Sequence, residues 1–369
     1  MVMRTGMPDL DDVEGLVALD VDGLLQSVAR AGAQVRAVAE AVREGALDPL
    51  SPLRPRGVVI VSGGSLVAAA ASEFTVAMLA AHTDVPLVCV PSLPGWVGPL
   101  DVVVVLGDDA GDPALADAAA RATRRRAEVV VGAPLEGPLR DALGGAGIDL
   151  SPRVHVDRRF GFTGFVAVIV AVVTGLSSVR FTGEVPGLDA VANALDAEAA
   201  ANHVSRESFR NQAKLLASRM ADTSMVVCGD TPGSVATAAQ AATTMLAIAG
   251  VACAATDVAG ASVAVRDRAG SGPADSLFHD PFIDGPAPAA LTVLVLGVPR
   301  REWQLRHRTG ALGEAVLVVG SVNGESEQAA APGSPMDTRG DLPADLEPLL
   351  SALLRVDMAA VYLRLIRGS

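Results

Sequence analysis

The sequence predicts an α/β protein built from two doubly wound parallel-sheet domains. The first reason is internal repetition. Residues 57–71, "GVVIVSGGSLVAAAA", are matched by residues 224–239, "SMVVCGDTPGSVATAA": an apolar strand, a Gly/Ser turn, then a small-residue helix. Residues 101–107, "DVVVVLG", likewise answer 291–297, "LTVLVLG". Each is followed by a charged helix and a further strand, at 127–134 and 314–322. The second reason is that these Val/Ile/Leu runs are continuous. Strands without polar alternation are buried on both faces, as in a parallel sheet flanked by helices. Two copies of the unit therefore predict two domains.

The remaining elements follow in chain order. Residues 1–50 form a helical arm, with Leu24, Val28, Val35, Val38 and Val42 near helical spacing. Residues 51–180 hold the first domain and the helix after it. That helix lies in 160–179, which is uncharged and long enough to span a bilayer, since a span needs about 20 apolar residues. Its three glycines, two threonines and two serines favour a buried interface helix instead. Residues 181–222 form a helical connector, 223–330 the second domain, and 331–369 a polar loop and a closing helix. In the closing helix Leu346, Leu349, Leu350, Leu353, Leu354, Val361, Tyr362 and Leu365 make a stripe too apolar to face water. A partner subunit is its natural cover, so a homodimer is expected.

Composition narrows the function classes. Half of the residues are apolar and the net charge is -13. An acidic chain without a Lys/Arg block is a poor partner for nucleic acid, which is bound by neutralising phosphates. Lys214 is the sole lysine among many arginines, a bias that gives no single arginine functional weight. Cys89, Cys228 and Cys253 sit in apolar runs with no CxxC spacing, which reads as reduced core thiols in the cytoplasm. The first residues lack the apolar core of a signal peptide, and no membrane association is expected.

Ligands of doubly wound sheets bind at the carboxyl ends of strands, against helix N-termini. Four turns qualify. In the first, Ser62, Gly63, Gly64 and Ser65 combine hydroxyls with glycines that let a backbone approach an anion; this is the expected phosphate cradle, with a capped tight turn as the alternative. The second, "GDDAGDP", carries Asp108, Asp109 and Asp112. A phosphate there at 4 to 6 Å would be repelled by about 2.8 to 4 kcal/mol per charge pair at an effective dielectric near 20. That would remove nearly all of the roughly 4 kcal/mol of a millimolar ligand. Asp112 reads instead as an N-cap with Pro113 at the first helical position, and Arg124, Arg125 and Arg126 suit the helix C-terminus. A divalent cation on the three aspartates stays open, although the spacing fits no EF-hand. The third turn, "GDTPGS", repeats the cap logic with Thr231 and Pro232. The fourth brings Arg300, Arg301, Arg306, His307 and Arg308, read as a solvated basic helix face, with an anion site as the alternative.

Together, the paired α/β units, "IVSGGS", the segment "SPRVHVDRRFGFTGF" and the stretch "NQAKLLASRMADTSMVVCG" resemble sugar isomerase (SIS) domain proteins. The similarity is greatest to bifunctional phosphoglucose/phosphomannose isomerases, in their actinobacterial TobH-like branch. The closing helix is similar to the one that ends that family. The resemblance implies a homodimer that interconverts aldose and ketose hexose 6-phosphates without metal or cofactor. It carries over only Ser62, Gly63, Gly64 and Ser65, as phosphate contacts.

The departures concern catalysis. The family's hydroxyl-rich phosphate loop is replaced by "GDDAGDP", and a second Thr/Ser-Gly turn by "GAPLEGPL". Residues 238–261, where the resemblance implies a catalytic glutamate and histidine, contain neither. The family's late lysine has no counterpart before Ser369. Isomerisation through an enediol needs a base to move a proton between carbons. Two substitute constellations are available: His203 with Glu207, four apart and expected to share a helix face, and His279 beside Asp280 and Asp284 in a loop. His82 and His155 read as structural. The sequence thus leads to a phosphosugar isomerase-family protein with lost or altered catalysis, or to a non-catalytic sugar-phosphate sensor or regulatory subunit.

Overall fold

The computed structural model describes residues 9–221, 223–270, 291–310, 312, 315–320 and 340–367. Three helices open the chain: α1 (Val13–Leu19), α2 (Leu24–Ala29) and α3 (Ala31–Arg43). The first domain follows with β1 (Gly57–Val61), α4 (Leu66–Leu79), β2 (Leu87–Val90), β3 (Asp101–Leu106), α5 (Pro113–Arg124), β4 (Glu128–Gly132), α6 (Gly137–Leu143) and β5 (Ile148–Asp149). Next come α7 (Phe162–Gly175), α8 (Leu188–Ala201) and α9 (Gln212–Met220). The second domain contains β6 (Ser224–Gly229), α10 (Pro232–Ala249), β7 (Cys253–Asp257), α11 (Val258–Gly270), β8 (Leu291–Gly297), α12 (Glu302–Thr309) and β9 (Val316–Val319), and α13 (Leu346–Arg367) closes the chain.

Both sheets are parallel, in the orders β2-β1-β3-β4-β5 and β7-β6-β8-β9. Strand order reverses between β1 and β3 in the first and between β6 and β8 in the second. These are the two topological switch points. The repeat read in the sequence is therefore real, and the unbroken apolar runs have the expected cause. Along β1 and β3, Val58, Ile60, Val102 and Val104 face a central core, while Val59, Val61, Val103 and Val105 face α5 and α6. The second sheet divides its side chains the same way.

The central core is shared by the two domains. α4 packs on α10 and α7, and α13 packs on α8, α9 and α10. Phe74 of α4 meets Phe162 of α7 with ring centroids 5.6 Å apart. This overturns the reason given for a partner subunit. The apolar residues of 160–179 are covered by α3 and α4 of the same chain, and the stripe on α13 is covered by α8 to α10. From Leu346 to Ile366 nearly every α13 residue is buried within the chain. α7 has only 14 residues, and no helix among the described residues is long and apolar enough to cross a membrane.

Local signals fix the helix ends that shape the site. Ser65 caps α4, Asp112 caps α5 ahead of Pro113, and Thr231 with Ser234 forms a capping box on α10. The cysteines are all free. Only Cys228 is fully buried, and burial pushes its thiol up to about 12 and that of Cys253 to about 11, so neither is a reactive thiolate.

Candidate functional site

At the first switch point, the β1–α4 turn has the shape expected of an anion cradle. Gly63 adopts φ 55°, a left-handed conformation that favours glycine. Ser65 Oγ accepts the Ala68 amide at 3.3 Å. The cradle already holds a carboxylate, however. Gly64 N–H donates to Asp112 Oδ2 at 2.7 Å, from the turn after β3, and Asp112 Oδ1 accepts Ala114 N–H at 2.8 Å. A methyl at Gly63 would come within 2.3 Å of the same Oδ2. Asp112 is thus the helix cap read from the sequence, and it also crosses to the neighbouring turn. The turn expected to cradle phosphate, Ser62 to Ser65, therefore already carries a carboxylate of the chain's own. A phosphate on Gly64 would meet a fixed negative charge.

The three aspartates do not converge on a cation. Asp109 Oδ1 accepts Gly111 N–H at 2.7 Å while Asp112 serves two other amides. No group of three or more His, Cys, Asp or Glu with metal-holding geometry occurs among the described residues.

The second switch point is bridged as well, with opposite chemistry. Arg301, beyond β8, donates through Nε and Nη2 to Asp230 Oδ2, beyond β6, at 2.8 and 2.6 Å. The α10 N-terminus is served by Asp341, whose Oδ2 accepts Gly233 N–H at 2.7 Å in a buried position. Burial raises the Asp341 carboxyl above its usual range, and its bonds to Thr231 and Gly233 oppose that. His82 Nε2 lies 2.8 Å from the Asp341 carbonyl oxygen; a carbonyl only accepts, so this ring nitrogen carries the proton. The basic turn divides: Arg306, His307 and Arg308 stay exposed on α12 as the expected solvated face, while Arg300 and Arg301 turn inward to carboxylates. Arg300 pairs with Asp345, Arg301 with Asp230 and Arg306 with Glu302.

One open space lies beside the first switch point. A cavity of about 620 Å³ sits at the carboxyl ends of β3 and β4, where Gly107, Asp108, Gly132 and Pro134 line it. That volume falls within the roughly 300–1,000 Å³ of small-molecule clefts. α3 contributes Gln34 and Val38, α7 contributes Gly164, Phe165 and Val168, and the segment 150–158 closes the rim. That segment is pinned to the N-terminal arm. Arg153 donates to both carboxylate oxygens of Glu44 at 2.9 and 2.7 Å, Arg30 Nη1 to the His155 carbonyl at 2.9 Å, and Asp157 N–H to Ser27 Oγ at 2.6 Å. Arg159 holds the Asp157 carboxyl below the usual range through two 2.8 Å bonds. Arg158 and the His155 ring have no hydrogen-bond or ion-pair partner among the described residues, and both line the cavity. They leave one guanidinium and one imidazole free to meet an anion.

His203 and Glu207 are not brought together on a helix. α8 ends at Ala201, and both residues lie exposed in the loop before α9. His203 Nδ1 is 2.8 Å from Ser205 Oγ. His279, Asp280 and Asp284 lie outside the described residues. The "NQAK" stretch has a structural task here. Asn211 caps α9, and Lys214 Nζ donates to the carbonyls of Val204 and Arg206 at 2.8 and 2.7 Å, 5.7 Å from the Tyr362 ring centroid. Sequence reasoning missed Gln34, Arg158 and the cavity role of His155. The available signal was the polar segment "SPRVHVDRR" placed directly before an uncharged helix.

No family model and no curated protein matches this sequence. Solved structures match its fold. The tagatose-6-phosphate ketose/aldose isomerase of Escherichia coli gives a TM-score of 0.53 at 14% identity, covering 98% of this chain and 95% of that one. The C-terminal domain of glucosamine-fructose-6-phosphate aminotransferase from Francisella tularensis gives 0.54 at 9% identity, covering 98% and 99%. A glucose-6-phosphate isomerase-like protein of Thermus thermophilus gives 0.50 at 17% identity, covering 98% and 94%. The fold is a two-domain α/β architecture with two parallel sheets. More particularly, it is the architecture that these solved structures share.

Proposed function

We infer that this protein binds a phosphosugar-class anion in the cavity beside β3 and β4, as a sensor or regulatory subunit rather than as a phosphoglucose or phosphomannose isomerase. One observation carries the reading: the cavity beside the first switch point is displaced towards α3 and α7, where the Arg158 and His155 side chains have no hydrogen-bond or ion-pair partner among the described residues, while Asp112 occupies the cradle itself. The neighbours' names supply the substrate class, and the chain's own side chains supply the displacement. A cytoplasmic setting belongs to the same reading, supported by three free cysteines. So does a homodimer, now supported by the edge strand β7, whose Ala254 and Ala255 are exposed, instead of by α7 and α13.

Calorimetry with glucose, fructose and mannose 6-phosphates tests this. Binding by the native chain, lost in Arg158→Ala and retained in Ser65→Asp, supports it. Loss in Ser65→Asp alone would return the site to the cradle. A second reading, an isomerase of divergent design, is favoured by Asp108 and His155 lining the same cavity as a potential acid–base pair. Coupled-assay turnover above about 1 per second, the low end of ordinary enzymes, would select it.

A further inference from the structure

Gln34 is only 8% exposed and lines the cavity from α3. Its Nε2 donates to the Phe160 carbonyl oxygen at 3.0 Å and to Thr163 Oγ1 at 3.3 Å, both at the start of α7. The carbonyl settles which end of the amide is nitrogen, since a flipped amide would set oxygen against oxygen. Oε1 is therefore turned away from these partners, and it has no partner of its own among the described residues. A methyl on Gly164 would lie 2.9 Å from that oxygen. Gly164 lines the same cavity, so the missing side chain leaves Oε1 open to it. Nearby, Val38, Phe165 and Val168 offer only hydrocarbon. A locked acceptor in such surroundings discriminates strongly, because a ligand without a donor leaves it unsatisfied.

We propose that Gln34 Oε1 is the specificity-determining group of this cavity, accepting a hydrogen bond from a ligand hydroxyl, while the ligand's anionic group lies at the Arg158 and His155 rim. The proposal rests on the cavity reading above. It defines the ligand as amphiphilic in a particular order: anion at the mouth, C–H faces against the walls, hydroxyl at the floor.

Two probes separate this from the cavity reading: glucose 6-phosphate, and cyclohexylmethyl phosphate, which keeps the ring and the phosphate but carries no ring hydroxyl. The native chain is expected to prefer glucose 6-phosphate by about tenfold or more, the scale of one unsatisfied buried acceptor. Gln34→Met should erase that preference, and so should Gly164→Ala, whose methyl would crowd the oxygen at 2.9 Å and so cover or displace it. The glycine variant keeps the test decisive if Gln34→Met does not fold. If both probes bind and neither variant changes their ratio, the Gln34 assignment is overturned and the cavity reading stands. If neither probe binds the native chain, the cavity reading falls and this assignment with it.

Discussion

The Gly64 amide donates a 2.7 Å hydrogen bond to Asp112 Oδ2 across the switch point of the first sheet. The donor belongs to the turn after β1 and the acceptor to the turn after β3, so the bond spans the crevice in which this class of sheet places its ligands. The second sheet closes the equivalent crevice with Arg301 on Asp230. Both switch points are thus occupied by the chain's own side chains, and each closure is charge-assisted.

The first closure predicts a gain of binding. Asp112→Ser keeps an N-cap for α5 but is too short to carry a charge to Gly64. At about 4 Å, removal of one negative charge relieves roughly 4 kcal/mol of repulsion on a phosphate at an effective dielectric near 20, or about a thousandfold in affinity. Sulfate titration followed at the Gly64 amide resonance should leave the native chain unmoved and shift the variant. A native chain that responds as strongly as Asp112→Ser would show that the carboxylate is no barrier.

Lys214 should prove structural. Its ammonium is held between the carbonyls of Val204 and Arg206, with the Tyr362 hydroxyl on the Asn202 carbonyl beside it at 2.7 Å. Lys214→Met strands two carbonyl acceptors that a charged donor served, at a cost of about 3 kcal/mol or more. Hydrogen exchange should then lose protection across residues 202–211 before any other segment. Unchanged protection there would assign the motif another role.

The sequence made the sheets legible and the cavity illegible for one physical reason. Burial on both faces of a strand is written locally, in the unbroken valines of β1, β3 and β4, and so is a cap such as Asp112-Pro113. What a side chain reaches is not local. Asp112 finds Gly64 across 48 positions and Gln34 finds Phe160 across 126. In α7 and α13 an all-round apolar pattern says that a helix is covered without saying by what, and here the cover is internal. The pairing of His203 with Glu207 failed because spacing of four means proximity only inside a helix, and α8 stops at Ala201.

The second closure predicts a strong asymmetry between single and double variants. The Asp230 side chain is 1% exposed and that of Arg301 11%. Arg301→Met leaves a buried carboxylate uncompensated, which costs about 3 to 5 kcal/mol when one partner of a buried pair is removed. Arg308, 3.9 Å away, is half exposed and offsets little of this. The double variant Asp230→Asn with Arg301→Met should recover most of the loss. Denaturant unfolding that gives additive losses would mean that the two side chains do not act as a pair.

Asp357 gives the clearest pH dependence. It sits on α13 facing Thr244 of α10, buried, with Oδ1 lacking a partner among the described residues, and Gln240 Oε1 on α10 is without one among them too. Burial pushes the carboxyl up to about 7, against the smaller opposing effect of its bond to Thr244. The folded value is raised above the unfolded value of about 3.9, so the folded state holds the proton more tightly. The stabilising contribution of that proton is complete below about pH 4, declines as pH rises, and is gone above about pH 7. The span of about three units corresponds to a difference on the order of 4 kcal/mol. Asp357→Asn removes the titration while keeping the shape. It should therefore be more stable than the native chain at pH 8, by an amount that shrinks steadily on acidification and vanishes near pH 4. Parallel stability curves for the two proteins from pH 4 to 8 would show that Asp357 does not titrate in the folded chain.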